Sequence, residues 1–210
     1  MNKFLLVDDH TIIRSGIKTL LSEIFAEFEV HEAMDGNEAL IRLKDFSYDV
    51  VIMDIQLPNT NINALLQTIH EEYPAIKVLI FSMGAESIYA KALIKAGAHG
   101  FVSKEAPLEE IEKAIKLVFN GGVYISERVS DSLVNDFILG KTSERSNPFN
   151  KLSAREFEIA LLLLSGKSAT EISGSLNIMA STVATHKARI FQKMGVTNLM
   201  ALNELVKFYS

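Results

Sequence analysis

The 210-residue chain contains no cysteine. This absence excludes disulfide bonds, cysteine-ligated zinc and catalysis by a thiol nucleophile. The sequence also lacks an apolar run of the roughly 20 residues needed to cross a bilayer. Its N-terminus, MNKFLLVDDH, interrupts a short apolar run with two aspartates, whereas a secretory signal needs a longer apolar core and a small-residue cleavage site. We therefore expect a cytoplasmic protein with no membrane partner.

Two further kinds of site find no support in the sequence. The five histidines, which are His10, His31, His70, His99 and His186, show no spacing typical of metal ligands. The chain also has no glycine-rich loop of the P-loop or Rossmann type. Neither a histidine-ligated metal centre nor a nucleotide-binding loop is predicted.

Charge is distributed unevenly along the chain, whose formal net charge is −5. Residues 1–150 carry 14 Lys and Arg against 22 Asp and Glu, whereas residues 151–210 carry 7 against 4. Such asymmetry favours two parts with different roles, the basic one lying near an anionic partner. The excess of basic residues after residue 150 is small and supports nucleic-acid binding only weakly by itself.

Residues 1–122 alternate between short apolar runs and segments in which apolar residues have helical spacing. The runs are Lys3–Val7, Glu29–Met34, Asp49–Met53, Lys77–Phe81 and His99–Val102. Continuous Val, Ile and Leu runs are typical of strands that are buried on both faces. Five strand–helix units predict an α/β domain with a doubly wound, five-stranded parallel sheet.

The remainder of the chain has helical patterns only. Residues 123–147 are predicted to be a linker with one short helix near 127–139, and its polar part is Gly140–Asn150. Residues 148–210 predict a small all-α domain of four helices, two of which begin with the capping boxes Ser153-x-x-Glu156 and Ser168-x-x-Glu171. The very short connection between its second and third helices is typical of a helix-turn-helix.

Polar residues follow four of the predicted strands, and ligands of doubly wound sheets bind at that edge. These residues are Asp8, Asp9, Asp54, Ser82 and Lys104. Each alone is an ordinary turn or surface residue, so the prediction depends on their combination. Clustered carboxylates need a cation, and oxygen ligands suit Mg²⁺. A carboxylate can also act as a nucleophile and form an aspartyl-phosphate, while a lysine neutralises charge on the transferred group.

Residues 3–120 resemble the receiver domain of two-component response regulators, which has a flavodoxin-like fold. The matching segments are LLVDDH (5–10), VVIMDIQLP (50–58), VLIFS (78–82) and AGAHGFVSK (96–104). The resemblance implies that a histidine kinase phosphorylates Asp54. It also implies Mg²⁺ held by Asp8, Asp9, Asp54 and the Gln56 backbone carbonyl, a phosphoryl group contacted by Ser82 and Lys104, and Phe101 as a switch aromatic.

Two positions depart from the receiver pattern. The family usually has glycine eight residues after the phosphoacceptor, where this chain has Ile62. We therefore expect the loop Asn59-Thr60-Asn61 beside the site to have a different shape. Glu105 follows the lysine in place of the proline common in the family, a departure shared by relatives with the output domain described next.

Residues 152–198 resemble the output domain of the LuxR/NarL type, with the helix-turn-helix at Ser168–Lys187. Matching points include Glu171-Ile172, Ser181-Thr182-Val183 and Val196. Basic residues that the family commonly carries on the recognition helix are replaced by Ala184 and Ala188, and the usual later arginine by Leu199. The DNA contacts implied here are Ser168, Ser181, Thr182 and Thr185, with Lys187, Arg189 and Lys193 on phosphates.

Three functions compete at this stage. The first is a phosphorylation-switched, sequence-specific transcription regulator, forming a homodimer when it is phosphorylated. The second is an aspartate-nucleophile phosphohydrolase, which usually needs a second Asp where this chain has Gln56. The third is an interaction protein whose helix-turn-helix has weak or lost operator binding, as Ala184 and Ala188 allow. The sequence favours the first, and we predict no enzyme beyond the phosphorylation chemistry of Asp54.

Overall fold

The computed structural model describes residues 1–138 and 148–209. The chain divides into two compact units, Met1–Gly140 and Lys141–Ser210. In the described ranges no helix is both long enough and apolar enough to cross a membrane.

The first unit is built on five parallel strands in the spatial order β2-β1-β3-β4-β5. The strands are β1 Asn2–Val7, β2 Phe28–Ala33, β3 Val50–Met53, β4 Lys77–Ser82 and β5 Gly100–Ser103. The predicted doubly wound sheet is confirmed. Because the strand order reverses beside β1, the topological switch point lies between β1 and β3, where ligands of this fold bind.

Six helices lie in the described part of this unit. They are α1 Thr11–Ile24, α2 Gly36–Asp45, α3 Ile62–Glu72, α4 Glu86–Lys95, α5 Leu108–Phe119 and α6 Glu127–Ile138. The core is made of apolar strand residues and the inner faces of α1 and α5, including Phe4, Leu21, Leu79 and Ile115. Burial of this apolar surface is the main contribution to stability, at about 25 cal/mol per Å².

The segment that follows α5 packs against this unit. It extends the unit past residue 122, which is the predicted end of the first domain. Tyr124 forms an isolated parallel bridge with Gly100 at the edge of β5. The Ser126 amide donates to Glu86 Oε1 of α4 over 2.7 Å, and α6 packs against α4. A single bridged residue leaves no alternating pattern in the sequence, which is why the sequence predicts a linker from residue 123 onward. Most of its predicted polar part lies outside the described residues.

From residue 148 to residue 209, the second unit contains a 3₁₀ turn and the four predicted helices. The turn is Pro148–Lys151, and the helices are α7 Ala154–Leu164, α8 Ala169–Leu176, α9 Ala180–Met194 and α10 Leu199–Tyr209. Both predicted capping boxes are present, at Ser153 with Glu156 and at Ser168 with Glu171. Asn177 ends α8 in the left-handed conformation at φ 51°, which gives the tight turn into α9.

Candidate functional site

Two buried carboxylates lie side by side at the switch point. Asp8 follows the last residue of β1 and Asp54 the last residue of β3, and these strands pair in register up to Val7 and Met53. The Asp54 amide donates to the Val7 carbonyl over 2.9 Å. Asp8 is 5% exposed and Asp54 is 2% exposed. Two carboxylates this deeply buried need a cation or a proton, because burial strongly disfavours an unpaired charge.

Lys104 supplies a cation to both of them. It directly follows β5, and its Nζ lies 2.5 Å from Asp8 Oδ2 and 2.6 Å from Asp54 Oδ2, with a side chain only 5% exposed. Burial alone would lower the pKa of Lys104, but hydrogen bonds and attraction from Asp54 and Asp8 outweigh it and raise that pKa. The lysine is therefore a charged ammonium held between the two carboxylates.

Ser82 and Phe101 occupy buried positions on the two strands beyond β3. Ser82 is the last residue of β4 and is fully buried, and its Oγ accepts a hydrogen bond from the Gly84 amide at 3.3 Å. The Lys104 amide donates to the Ser82 carbonyl over 3.0 Å, which ties the ends of β4 and β5 together. Phe101 is 1% exposed, and its amide donates to the Tyr124 carbonyl over 2.8 Å.

The acidic residues at this edge of the sheet are of the types that bind metal ions. Ligand atoms of Asp8, Asp9, His10 and Asp54 all lie within 4.8 Å of one another. Asp9 is more exposed than the other two carboxylates, at 38% of its side chain, and its Oδ1 lies 2.8 Å from His10 Nδ1. Three carboxylates, one of them open to solvent, match the preference of Mg²⁺ for oxygen ligands and retained waters.

Gln56 lies beside the same carboxylates. Its amide donates to Asp54 Oδ1 over 3.1 Å, an Asx-type turn that fixes the orientation of the Asp54 carboxylate. The role of its carbonyl as a metal ligand stays a prediction.

The loop beside the site contains the departure from the family pattern, and a difference in its shape from other receivers stays a prediction. Ile62 is the buried first residue of α3, and Asn61 caps that helix by accepting from the Ala64 amide over 3.1 Å. Thr60 Oγ1 accepts from the Gly36 amide over 2.8 Å. A Cβ at Gly36 would lie 2.6 Å from the Thr60 methyl carbon. The loop is therefore docked on the first residue of α2.

Sequence reasoning missed Arg14. This α1 residue is buried, and its guanidinium donates to the Asp8 carbonyl over 2.5 Å. A signal for it exists in the sequence, since Arg14 lies three and seven residues before Ile17 and Leu21 on the apolar face of α1. A charged residue on a buried face needs partners, and those partners lie near the acidic cluster.

The third helix of the second unit, α9, exposes the residues predicted to face DNA. Ser181, Ala184, Thr185 and Ala188 are all exposed, and Thr182 is half-buried. Thr185 Oγ1 donates to the Ser181 carbonyl over 3.0 Å. The first turns of α9 therefore present hydroxyl and methyl groups, as the two alanine replacements predict.

The three basic residues of α9 have different surroundings. Lys187 and Arg189 are exposed, and Lys187 Nζ lies 5.4 Å from the centre of the Phe191 ring. Lys193 has partners inside the domain, and its contact with phosphate stays a prediction. Its Nζ lies 2.6 Å from Glu156 Oε2 and 3.3 Å from the Lys151 carbonyl. Its ammonium therefore joins α9 to α7.

Ser168 also serves the fold. Its Oγ accepts from the Glu171 amide over 3.3 Å and donates to Glu171 Oε2 over 2.6 Å. The first of these contacts is one half of the capping box of α8, and the other half is the Ser168 amide, which donates to Glu171 Oε2 over 2.8 Å. A DNA contact from this hydroxyl stays a prediction.

Two protein families match the two units. Residues 4–116, more than half of the chain, match the response regulator receiver domain. Residues 150–206 match the luxR family of bacterial regulatory proteins. The first range contains the buried acidic cluster, and the second contains all four helices of the second unit except the end of α10.

Relatives match this chain across both units. Oxygen regulatory protein NreC of Staphylococcus carnosus is 35% identical over 98% of this chain and 95% of its own length. Response regulator GacA of Pseudomonas syringae is 33% identical over 94% of this chain and 92% of its own. A solved complex of the two-component response regulator RcsB with DNA covers all of both chains at 25% identity and a TM-score of 0.65. The chain therefore belongs to the two-component response regulators that join a receiver domain to a luxR-type DNA-binding domain.

Proposed function

We propose that Asp54 is the phosphoacceptor and that a histidine kinase is its phosphoryl donor. The observation that carries the proposal is the convergence of Lys104 Nζ on Asp8 and Asp54 at the switch point of the sheet. Asp54 directly follows β3, and its carboxylate accepts hydrogen bonds from the Gln56 amide and from this ammonium. Its carboxylate is thus held in one orientation, with a cationic partner beside the oxygen atoms that would act as the nucleophile.

The reaction is a phosphoryl transfer. One Asp54 carboxylate oxygen attacks phosphorus, so an O–P bond forms while the P–N bond of the donor phosphohistidine breaks. The electron pair of that bond passes to the leaving imidazole nitrogen, which takes up a proton from water. Catalysis of such a transfer consists mainly of positioning and neutralisation of charge.

Each residue of the cluster has a part in this scheme. Asp8, Asp9 and Asp54 would hold Mg²⁺, which when bound neutralises charge on the phosphoryl oxygens. Lys104 would move from the two carboxylates to the new phosphoryl group, because that group carries more negative charge than the Asp54 carboxylate. Ser82, at the end of the neighbouring strand, would donate its hydroxyl hydrogen to a phosphoryl oxygen.

We propose further that the output domain binds DNA through α9, with Lys187 and Arg189 on phosphates. The luxR-family match favours DNA binding over the alternative of a domain without operator binding. Such proteins bind half-sites about one helical turn apart as symmetric dimers, so we infer a homodimer in the phosphorylated state. A protein that acts on the chromosome in this way works in the cytoplasm.

Labelling with a small phosphodonor tests the assignment of Asp54. The full chain is incubated with acetyl phosphate and Mg²⁺, and its mass is measured before and after proteolysis. One added phosphoryl group on the peptide that contains Asp54 is expected, and Asp54→Asn should abolish it. Asp131→Asn, on the exposed surface of α6, is the matched control and should label normally. Labelling of another residue in wild-type protein would contradict the proposal.

A further inference from the structure

The guanidinium of Arg14 contacts three separate parts of the fold. Nη1 donates to the Asp8 carbonyl over 2.5 Å, Nε to Glu32 Oε2 over 2.5 Å, and Nη2 to Thr11 Oγ1 over 3.3 Å. Its side chain is only 7% exposed. The guanidinium is planar, and its N–H donors point in fixed directions like a fork. Its three hydrogen bonds therefore hold the end of β1, β2 and α1 in one arrangement.

Glu32 holds the guanidinium of Arg14 in place. It is the second-last residue of β2, and its carboxylate also binds Lys18 of α1. Hydrogen bonds from Lys18 and Arg14 lower the pKa of Glu32, against the opposing effect of burial. Glu32 is therefore charged, and the guanidinium lies between this charge and the acidic cluster.

The contact with the Asp8 carbonyl acts on the next residue. That carbonyl and the Asp9 amide belong to one planar peptide group, so holding the carbonyl fixes the direction in which the chain leaves Asp8. The preceding peptide group is also held, because the Asp8 amide donates to the Ala33 carbonyl over 3.1 Å. The Asp9 carboxylate itself is partly exposed and contacts the neighbouring His10 ring. Its position relative to Asp54 therefore depends on the peptide that Arg14 holds.

We propose that Arg14 is a positioning residue for the phosphoacceptor site, which orients the Asp8–Asp9 peptide so that Asp9 and Asp54 can share one Mg²⁺ ion. This inference rests on the proposed function of Asp54. Residues that orient metal ligands from outside typically change metal affinity or activity by 10–100-fold when they are replaced. Arg14 touches no reacting atom, so its effect should appear mainly in the concentration of Mg²⁺ that is required.

Two measurements on the full chain test the role of Arg14. The first is Mg²⁺ titration without a phosphodonor, followed by NMR of the Asp9 and His10 amides. The second is the initial rate of phosphorylation by acetyl phosphate as a function of Mg²⁺ concentration. Arg14→Lys keeps the positive charge but removes the planar set of N–H donors. For this variant we expect about a tenfold higher Mg²⁺ concentration at half-saturation in both experiments. The rate at saturating Mg²⁺ should change much less.

Two other variants separate positioning from general stability. Glu32→Gln weakens the hold on Arg14 and should shift half-saturation in the same direction by a smaller factor. Lys18→Gln removes the other ion pair of Glu32 but leaves the contact between Arg14 and Asp8, so half-saturation should stay at the wild-type value. Thermal unfolding of all variants gives the loss of stability independently.

The outcomes distinguish this inference from the proposed function. Wild-type Mg²⁺ half-saturation in both Arg14→Lys and Glu32→Gln would overturn the role of Arg14, as would an equal shift in Lys18→Gln. Phosphorylation of Asp54→Asn at the wild-type rate would instead overturn the assignment of Asp54, and the Mg²⁺ titration would still report on Arg14.

Discussion

Lys104 Nζ lies 2.6 Å from Asp54 Oδ2, inside a pocket where both side chains are almost completely buried. The two residues are fifty positions apart in the sequence and come from strands that do not pair with each other. The same ammonium bonds Asp8, so a single cation balances two carboxylates from two strands. Any phosphoryl group on Asp54 would change the surroundings of this ammonium, and with it the end of β5.

The first prediction concerns that ion pair. Lys104→Met keeps most of the side-chain volume but leaves Asp8 and Asp54 buried without their cation. Removing one partner of a buried ion pair typically costs about 3–5 kcal/mol, and we expect a loss of this size in urea unfolding at neutral pH. Lys113→Met, which changes an exposed lysine of α5, is the control. An equally small effect of both variants would show that the ion pair contributes nothing to stability.

The second prediction concerns pH and the ion pair of the output domain. Hydrogen bonds from Lys193 and from the Ser153 amide lower the pKa of Glu156 to about 2, against the effect of burial. A carboxylate with a lowered pKa stabilises the folded state above its unfolded pKa, and this contribution is lost as pH falls through the folded value. Glu156 should therefore stabilise α7 and α9 fully above about pH 4.5 and lose this effect toward about pH 2.

Hydrogen exchange measures that contribution within the intact chain. Protection factors of α7 and α9 amides should be lower in Glu156→Gln than in wild type at pH 6, and the difference should shrink as pH falls toward 2. Glu158→Gln, which removes an exposed pair with Arg155, should have a much smaller effect. A difference between Glu156→Gln and wild type that does not depend on pH would contradict the stated pKa.

The third prediction concerns phosphate contacts by α9. Lys187→Ala and Arg189→Ala should each weaken binding to all DNA sequences about equally and reduce the slope of log K against log salt by about 1. Fluorescence anisotropy with duplexes of different sequence measures both quantities. Lys207→Ala, an exposed change near the end of α10, should leave the slope unchanged. A changed base preference at one position would instead assign that side chain to base readout.

The fourth prediction concerns assembly. In the last helix, α10, Leu202 and Leu205 are fully buried in the core of the domain and are not available to a partner. Met200 is 71% exposed and is therefore the apolar residue of α10 that we test. Phosphorylation should raise the dimer population, and Met200→Glu should lower it again in analytical ultracentrifugation. Ile41→Glu, at an exposed apolar position on α2, is the control. A phosphorylated chain that stays monomeric would exclude the dimer.

The sequence predicted most of the fold because most of its strands are continuous apolar runs and two of its helices begin with capping boxes. Ser153 with Glu156 and Ser168 with Glu171 begin α7 and α8 as expected. The carboxylates were predictable as a cluster, since the ends of parallel strands meet at one edge of a sheet. The sequence did not predict that Lys104 contacts Asp8 as well as Asp54. Strand order places the three residues at one edge of the sheet, but it does not say which carboxylates the lysine side chain contacts.

Other features depend on tertiary contacts that leave no periodic signal. The pairing of Tyr124 with β5 involves one bridge, and the contact between Thr60 and Gly36 joins a loop to the first residue of α2. The contact between the Lys193 ammonium and Glu156 joins residues 37 positions apart and is likewise absent from the sequence pattern. Charge on a helix face alone does not distinguish a residue that binds DNA from one that holds two helices together.

DNA titration of the full chain with and without phosphorylation tests the central claim most directly. Wild-type protein and Asp54→Asn are each titrated into an operator duplex from genomic fragments, before and after incubation with acetyl phosphate and Mg²⁺. We predict that phosphorylation increases the affinity of wild type and leaves that of Asp54→Asn unchanged. Equal affinity of wild type before and after stoichiometric phosphorylation of Asp54 would contradict the account, because the acidic cluster would then not control the output domain.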